Sequence, residues 1–298
     1  DIFSKQKKKE FNKIQTLGIS KSNIEFFNKN IININKQLWD INKIEIFSEI
    51  LNNEKILNFG GKNHQLFFTI RNSELYKNLF TQLNENKLVK FKNNFSYKNF
   101  KKNNYKLIFN CEYNNLISKK FFYKKLDKNY DSFAHTTIIN HKKIKNNIAS
   151  QIFTQKGPLA FLPLSETETS IVYSVKGEKN IDLNKLIEKY NFKYQIIHFG
   201  KSTSIGLKST NLRSYYYKNI LAFGDLLHRI HPLAGQGFNM TIRDINILCE
   251  LINLRKNNGL ELDTSICGDF EKKTKHKNYL FSSGIDFVYE FFNLESKI

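Results

Sequence analysis

Several features that mark common classes of protein are missing from this sequence of 298 residues. No apolar run approaches the roughly 18 residues that a membrane-spanning helix needs, and no signal peptide is visible. The three cysteines, Cys111, Cys249 and Cys267, are odd in number and widely spaced, which argues against a disulfide framework and against a zinc site. We therefore expect a globular protein of a reducing, cytoplasmic compartment.

A glycine-rich nucleotide loop is also missing. Gly60-Gly61 is the only glycine pair, and the spacing GxGxxG occurs nowhere in the chain. The sequence opens on Asp1 and not on Met, so we interpret its start as processed, trimmed or a fragment.

Acidic residues are outnumbered, because Lys+Arg total 47 against Asp+Glu 27, which gives a formal net charge of +20. The excess is mostly lysine in asparagine-rich surroundings, and it is not gathered into one stripe. That distribution favours a solvated surface over a nucleic-acid interface, and we expect no nucleic-acid partner. Attraction to an anionic membrane surface stays open as an alternative.

The most informative stretch covers residues 219–254. Ile220–Phe223 is an apolar run typical of a buried strand, and Gly224 and Asp225 end it. A loop follows, and apolar residues then recur at three- and four-residue spacing, which predicts a helix that begins near Gln236. In open α/β sheets, ligands bind at the carboxyl ends of strands, where helix N-termini point. The stretch therefore predicts a ligand site.

The residue types of this loop suit a flat ligand that carries negative charge. Gly235 and Gly237 have no side chains, so a ring can approach the backbone closely. The first N–H groups of a helix lack intrahelical partners and carry partial positive charge, which stabilises an anionic edge. Asp225 can accept hydrogen bonds from sugar-like hydroxyls, and Pro232 stiffens the loop. A reduced flavin, a flat ring on a polyhydroxy chain, fits this description.

Two motifs carry a resemblance to a known family. Residues 224–239, GDLLHRIHPLAGQGFN, resemble the second flavin motif of the FAD-dependent aromatic-ring monooxygenases, and more narrowly that of the ubiquinone-biosynthesis hydroxylases. Residues 151–154, QIFT, and 157–164, GPLAFLPL, are similar to the substrate-domain signature of the same branch. The resemblance implies that FAD contacts Gly224, Asp225, Pro232, Gly235, Gln236, Gly237, Phe238 and Asn239.

A third position departs from the family pattern. Family members have an apolar strand that ends in Asp-Gly and contacts FAD, and residues 105–113 resemble that strand. Glu112 stands in place of the aspartate, and Tyr113 replaces the glycine. The resemblance makes Glu112 a candidate cofactor-binding residue, and a surface turn after a core strand is the alternative.

The resemblance also implies the fold, a mixed α/β (α+β) architecture. It consists of an incomplete FAD-binding Rossmann-like domain, an inserted mixed or antiparallel β-sheet substrate domain and C-terminal helices. The expected boundaries are residues 1–38, 72–125 and 211–255 for the FAD-binding domain, 39–71 and 126–210 for the substrate domain, and 256–298 for the helical region. Because the first strand–turn–helix–strand unit with its GxGxxG is missing, we expect this chain alone to hold FAD poorly.

Hydrophobic patterns predict the individual elements, and the resemblance to the family implies the first and the last helix. The predicted helices are Thr16–Asn28 (with Ser20 as N-cap), Asn72–Leu83, Leu183–Tyr190 and Asp269–Asn278. The predicted strands are Lys43–Phe47, Gln65–Ile70, Leu88–Phe91, Tyr105–Tyr113, Phe133–Ile139, Ala149–Thr154, Leu159–Leu164, Ser170–Val175 and Tyr194–Phe199.

By resemblance, the protein is expected to hydroxylate a prenylated phenol or quinone precursor of ubiquinone, with FAD, O₂ and transient NAD(P)H. A membrane surface or a biosynthetic complex is an expected partner, with a place on the inner face of the membrane. No side chain stands out as a catalytic base. The rival interpretations are a non-catalytic scaffold and a metal site at Asp225, His228 and His231, against which Pro232 and the missing fourth ligand argue.

Overall fold

A computed structural model describes residues 1–3, 15–60, 65–92, 105–231 and 235–295. The helices in these ranges are α1 (Lys21–Asn30), α2 (Asn72–Glu85), α3 (Leu116–Phe121), α4 (Leu183–Tyr190), α5 (Gln236–Asn257) and α6 (Ser265–Glu295). The strands are β1 (Ile2–Phe3), β2 (Thr16–Ser20), β3 (Trp39–Ile41), β4 (Lys43–Ser48), β5 (Glu54–Gly60), β6 (Phe67–Arg71), β7 (Phe91–Lys92), β8 (Ile108–Asn110), β9 (Lys125–His141), β10 (Ile148–Thr154), β11 (Gly157–Pro163), β12 (Glu168–Lys176), β13 (Ile196–Phe199), β14 (Thr203–Leu212), β15 (Tyr216–Tyr217), β16 (Ile220–Ala222) and β17 (His228–Arg229). Within the same ranges, no helix is long and apolar enough to cross a membrane.

Nine strands form one large sheet in the order β17-β14-β9-β12-β11-β10-β4-β5, with β13 also paired to β9. Its pairs are antiparallel apart from β10 and β4, which run parallel. The four strands predicted between residues 133 and 175 lie in β9 to β12, and the helix predicted at residues 183–190 is α4. The prediction of a mixed, mainly antiparallel sheet is therefore confirmed.

The two faces of this sheet differ because successive residues of a strand point to opposite sides. On β12, Ile171 and Tyr173 are buried in an apolar cluster that includes the inner side of α4. The intervening residues Ser170 and Val172 face a cavity on the other side. We call these the covered face and the cavity face of the large sheet.

Helix α5 connects the remaining elements. Its residues Leu248 and Leu251 pack with β16 and the beginning of α6 in one apolar cluster, whereas Ile242 packs with β2, β6 and α1 in another. Strand β16 runs parallel to β8 and antiparallel to β15, and β6 lies between β2 and β3. By pairing, β6 belongs with β2 and not with the large sheet, so the domain boundaries stay a prediction.

Two local predictions are wrong, and several strands, among them β3, β5 and β14, were not predicted. The helix predicted from Thr16 begins only at Lys21, because residues 16–20 form β2 in a ladder with β6. Ser20 is nevertheless the N-cap, since its side chain accepts a hydrogen bond from the backbone N–H of Asn23. Of the strand predicted at residues 88–91, only Phe91 lies in a strand, and Leu88 is 90% exposed. No pattern in the sequence indicated β14.

Candidate functional site

A cavity of about 720 Å³ lies between the cavity face of the large sheet and the N-terminus of α5. The sheet contributes small side chains, among them Ala134, Thr136, Ala149 and Ala160. Strand β2 contributes its residues near Gly18, and the segment from β17 to α5 closes the opposite side. The cavity is therefore formed jointly by the large sheet and by the stretch of residues 219–254 that the sequence predicts to contain a ligand site.

The N-terminus of α5 opens toward this cavity. Its N-cap, Gly235, has φ +62 and ψ 27, and no side chain caps the helix. The left-handed backbone at this position favours glycine. Gly235, Gln236 and Gly237 all line the cavity. Because no side chain among the described residues caps this helix, its first N–H groups can bind an anionic or hydrogen-bond-accepting ligand.

Asp225 lies on a second side of the cavity, where β16 ends. Gly224, with φ +59, begins a single 3₁₀ turn that covers residues 224–226, and this turn leaves Asp225 exposed and among the lining residues. Strand β8 runs parallel to β16, so Glu112 follows β8 at the same edge of the small sheet. Desolvation of the Cys111 thiol, together with the charges of Asp225 and Glu112, raises its pKa to about 11.

The predicted site residues are only partly brought together. Asp225, Gly235, Gln236, Gly237 and Asn239 line the cavity. The three that do not line it are Gly224, Glu112 and Phe238. Pro232 lies outside the described residues, and the cofactor contacts assigned to all nine residues stay predictions.

Packing explains two of these placements. The ring of Phe238 turns into the cluster around β2 and α1, where its centroid lies 6.4 Å from that of Phe27. Glu112 is exposed, and its backbone carbonyl accepts a hydrogen bond from the Ser118 hydroxyl at the beginning of α3. Neither side chain is therefore directed into the cavity.

Asn239 has a structural role in the described geometry. Its side-chain amide donates to the carbonyl of Gly18 at 2.8 Å, and its Oδ1 accepts from the backbone N–H of Ser20 at 3.0 Å and from the Asn23 amide at 2.8 Å. These hydrogen bonds fix the first turn of α5 against β2 and the beginning of α1. The uncapped helix terminus is thus held in place beside the cavity.

Sequence reasoning assigned no cofactor contact to three lining residues with ionisable side chains, Lys208, His228 and Arg229, although it had considered His228 as a metal ligand. His228 is 2% exposed, and its Nε2 lies 2.8 Å from Oδ2 of Asp244 in α5. The guanidinium of Arg229 lies 5.7 Å from the ring centroid of Tyr113. His228 and Arg229 fall inside the flavin-like motif, three and four residues after Asp225, and that spacing was the available signal.

The metal interpretation finds no support in the part of the chain that the structure describes, where no three His, Cys, Asp or Glu side chains form a metal-binding group. His228 faces Asp244, whereas the His231 ring lies 4.9 Å from the ring of Tyr130 and 4.3 Å from that of Tyr289, measured between centroids. Burial lowers the pKa of His231 to about 4, and the charge of Lys128 acts in the same direction. The His231 ring is therefore neutral at pH 7.

No protein-family model matches the chain. Among curated proteins it is similar to the mitochondrial ubiquinone biosynthesis monooxygenase COQ6 of Danio rerio, with 24% identity over 205 residues, which are 54% of this chain and 42% of that protein. COQ6 of Mus musculus is 30% identical over 177 residues, 45% of this chain and 37% of that protein. The 3-demethoxyubiquinol 3-hydroxylase of Escherichia coli (strain K12) is 28% identical over 154 residues, 48% of this chain and 39% of that protein. The chain thus spans well under half the length of these curated relatives.

Solved structures resemble nearly the whole chain. PqsL, a probable FAD-dependent monooxygenase from Pseudomonas aeruginosa, matches with a TM-score of 0.74 and 11% identity, over 98% of this chain and 89% of that one. The tetrameric 2-methyl-3-hydroxypyridine-5-carboxylic acid oxygenase matches with a TM-score of 0.73 and 10% identity, over 99% and 88%. At these identities the likeness shows a shared fold, and it confirms the predicted mixed α/β architecture. By its sequence matches the chain is similar to ubiquinone-biosynthesis hydroxylases, and it shares the fold of FAD-dependent monooxygenases.

Proposed function

We propose that this protein is a flavin-dependent monooxygenase that hydroxylates a prenylated phenol or quinone precursor of ubiquinone, with O₂ as oxidant and NAD(P)H as reductant. One structural observation carries the proposal. A single cavity joins an uncapped helix N-terminus to a sheet face of small side chains. The names of the curated relatives support the reaction and the substrate class.

The residues at the helix end of the cavity fit the flavin ring and its polyhydroxy chain. Gly235 and Gly237 leave the backbone open to a flat ring, and the free N–H groups of α5 suit a ring edge that becomes negative on reduction. Asp225 is placed to accept hydrogen bonds from ribityl hydroxyls. When bound, the flavin supplies the redox chemistry, and the chain supplies binding and orientation.

Charge at the cavity agrees with this assignment. Within the described lining, Lys208 and Arg229 are cationic and Asp225 is the single carboxylate. Together with the positive end of the α5 dipole, the two cations favour an anionic ligand over a neutral one. This positive electrostatic potential would stabilise both a reduced flavin and a phenolate.

The sheet end of the cavity fits an apolar substrate. Ala149, Ala160, Leu162 and Val172 offer an aliphatic surface there, and the small residues leave space for the ligand. A prenyl chain would bury its carbon atoms against this surface, at about 25 cal/mol for each Å² removed from water. This wall also keeps water away from the place where the aromatic ring would lie.

The first test is flavin binding by the purified full chain, followed by turnover. We expect added riboflavin to lose fluorescence on weak binding, and NAD(P)H-dependent O₂ consumption to rise when a large excess of FAD and a 2-prenylphenol are supplied. If the chain binds no flavin at all, the enzyme interpretation fails, and a non-catalytic scaffold becomes the better interpretation.

A glycine substitution localises the binding. Among the described residues, a Cβ at Gly237 would meet only Ile230, at 3.8 Å, so Gly237→Ala fits the described fold. The added methyl group lies where the ring approaches, and we expect riboflavin affinity to fall about tenfold, or about 1.4 kcal/mol. Gly268→Ala in α6, with its nearest neighbour at 3.5 Å, is the control and should bind as the wild type does. Equal affinities in all three proteins would place the flavin elsewhere.

We also propose that the protein works at an anionic membrane surface. Leu280, Phe287 and Phe291 are exposed at helical spacing on α6, and Lys273 and Lys277 precede them on the same side. Co-sedimentation with vesicles that contain phosphatidylserine tests this, with phosphatidylcholine vesicles as the control. Replacing Phe287 and Phe291 by serine should reduce the bound fraction, and an unchanged fraction would contradict the assignment.

A further inference from the structure

The two ends of the cavity differ in polarity. Lys208 and Arg229 lie at the end formed by β14 and β17. At the other end, β4, β5 and β6 contribute Ile44, Phe59 and Phe67, and none of the described lining residues of these strands is ionisable. Strands β14 and β5 are six positions apart in the large sheet, which is about 29 Å at about 4.8 Å for each strand. The cavity is therefore long, with a polar end and an apolar end.

A row of paired residues leads from the middle of the cavity to its apolar end. Ala149 of β10 pairs with Ile44 of β4, and Ile44 pairs with Phe59 of β5. All three line the cavity. Residues that lie directly opposite each other in neighbouring strands point to the same side of a sheet, so these side chains form one continuous surface. A second row of paired residues runs beside the first and consists of Ala160, Gln151, Ile46 and Leu57.

Both rows end in exposed apolar side chains on β5. Phe59 is 48% exposed and Leu57 is 46% exposed, and β5 is the last strand of the described sheet. Because Phe59 lines the cavity and also contacts solvent, the cavity opens at this edge. Leu66 flanks the opening, since a Cβ built at Gly60 would lie 3.0 Å from its Cδ1.

The size of the cavity limits how much of a long ligand it can enclose. Pockets of about 300–1,000 Å³ enclose one drug-sized ligand, and this cavity measures about 720 Å³. A flavin ring and a phenol together are already ligands of that size. A long apolar chain on the phenol would therefore have to continue through an opening of the cavity.

We propose that the prenyl chain of the substrate crosses β10 and β4 and leaves the cavity at the edge strand β5, between Phe59 and Leu66. This inference rests on the proposed function. The phenol then lies toward the polar end, and the chain follows the two apolar rows. From β11 to β5 the path crosses three strand spacings, about 14 Å, which is room for on the order of three prenyl units in extended form.

A chain-length series in the wild-type protein tests the length of this path. Phenols with one, two, three and four prenyl units at the 2-position are titrated at equilibrium against the full chain, without flavin or turnover. We expect the affinity to rise about tenfold for each unit up to the third, because each unit buries apolar surface along the rows. The fourth unit would lie outside the protein, and it should change the affinity less than about twofold.

A substitution on β5 tests the position of the opening. Phe59→Ser removes an exposed ring and should leave the fold intact. We expect it to weaken binding of the phenol with three prenyl units about fivefold and to leave the phenol with one unit unchanged. Asn58→Ser is the matched control, because the neighbouring residue of the same strand is also exposed and points to the opposite side of the sheet. It should bind both phenols as the wild type does.

The outcomes separate this inference from the proposed function. Unchanged affinity of Phe59→Ser for the phenol with three units would overturn the inference, while turnover of a 2-prenylphenol by the wild type would still support the function. Equal weakening for both phenols would place the phenol ring itself at Phe59 and would also overturn it. A wild-type chain that binds none of the four phenols would reject the proposed substrate and the inference with it.

A second copy of the chain is the other candidate to cover Leu57 and Phe59. Analytical ultracentrifugation of the wild type and of Phe59→Ser distinguishes this occupant from the prenyl chain. We expect the same mass for both proteins. A wild-type dimer that dissociates in Phe59→Ser, with phenol affinities unchanged, would assign this edge to an interface between copies and overturn the proposal.

Discussion

The same strands form both faces of the large sheet, but one face is packed under α4 and the other borders the cavity. On β11, Leu159 and Phe161 are 0% and 2% exposed in the cluster under α4. Between and beside them, Ala160 and Leu162 line the cavity. The covered face is filled with large side chains, whereas the cavity face carries mostly small ones. The cavity therefore results from the size of the residues at alternate positions, since strand geometry is the same on both faces.

The largest contrast is expected when large side chains are truncated on each face. Phe161→Ala leaves a void under α4 and should lower the free energy of unfolding by about 3–5 kcal/mol. Leu162→Ala, one residue along and on the cavity face, should cost clearly less, because its side chain borders space that is already open. Urea unfolding of the two variants and the wild type measures this. Equal losses would show that the cavity face is packed in solution.

The strands of this sheet could be predicted because their pattern is local. The strands at residues 159–164 and 170–175 are mainly apolar runs bounded by turn or polar residues, and the helix at residues 183–190 has a clear apolar side. The strand before Gly224 and the helix that begins at Gln236 were predicted in the same way, since both lie where the apolar patterns place them. Local sequence was sufficient in these places.

The elements and contacts that the sequence did not predict share a physical cause, because each depends on a partner that is distant in the chain. Strand β14 is polar, with Gly206, Lys208 and Ser209, and it exists because it pairs with the long β9. The residues 16–20 form a strand because β6 supplies a ladder 50 residues away. The pairing of His228 with Asp244 joins a strand to a helix and leaves no pattern in either. The small residues of the cavity face are visible in the sequence, but their size was not interpreted as a sign of a cavity.

A smaller effect is expected when the cavity face is made to resemble the covered face. Ala160→Phe places a ring in the cavity, and we expect the affinity for a phenol with a short prenyl chain to fall more than about tenfold, or 1.4 kcal/mol. The free energy of unfolding should change little, because the new side chain enters open space.

Leu162→Ala is the matched variant for this test, since it enlarges the same cavity from the same strand. It should bind phenols with a bulkier chain at least as well as the wild type. If Ala160→Phe left the affinity unchanged in equilibrium titration, the prenylated phenol would have to bind outside this cavity, and the comparison between the faces would lose its functional meaning.

A pH-dependent effect concerns a charge at the edge of the covered face. Burial lowers the pKa of Lys193 to about 8 from its ordinary 10.5. Its Nζ donates to Oδ1 of Asn146 and to the carbonyl of Ile148, both at 3.2 Å, and Tyr194, beside it, packs in the covered cluster. A lowered lysine pKa means that the unfolded chain binds the proton more tightly than the folded one.

Between about pH 8 and pH 10.5 the unfolded chain therefore holds a proton that the folded chain has lost, and the contribution of Lys193 to stability rises with pH. Below pH 8 both states are protonated and this contribution is constant. In Lys193→Met the rise should disappear, so the wild type gains stability relative to the variant across that window. Lys176→Met, which removes an exposed lysine at the end of β12, should show no such relative change. The free energies of unfolding of the wild type and of Lys193→Met could instead change in parallel from pH 7 to pH 10.5. This edge of the covered face would then be as accessible to water as the cavity face.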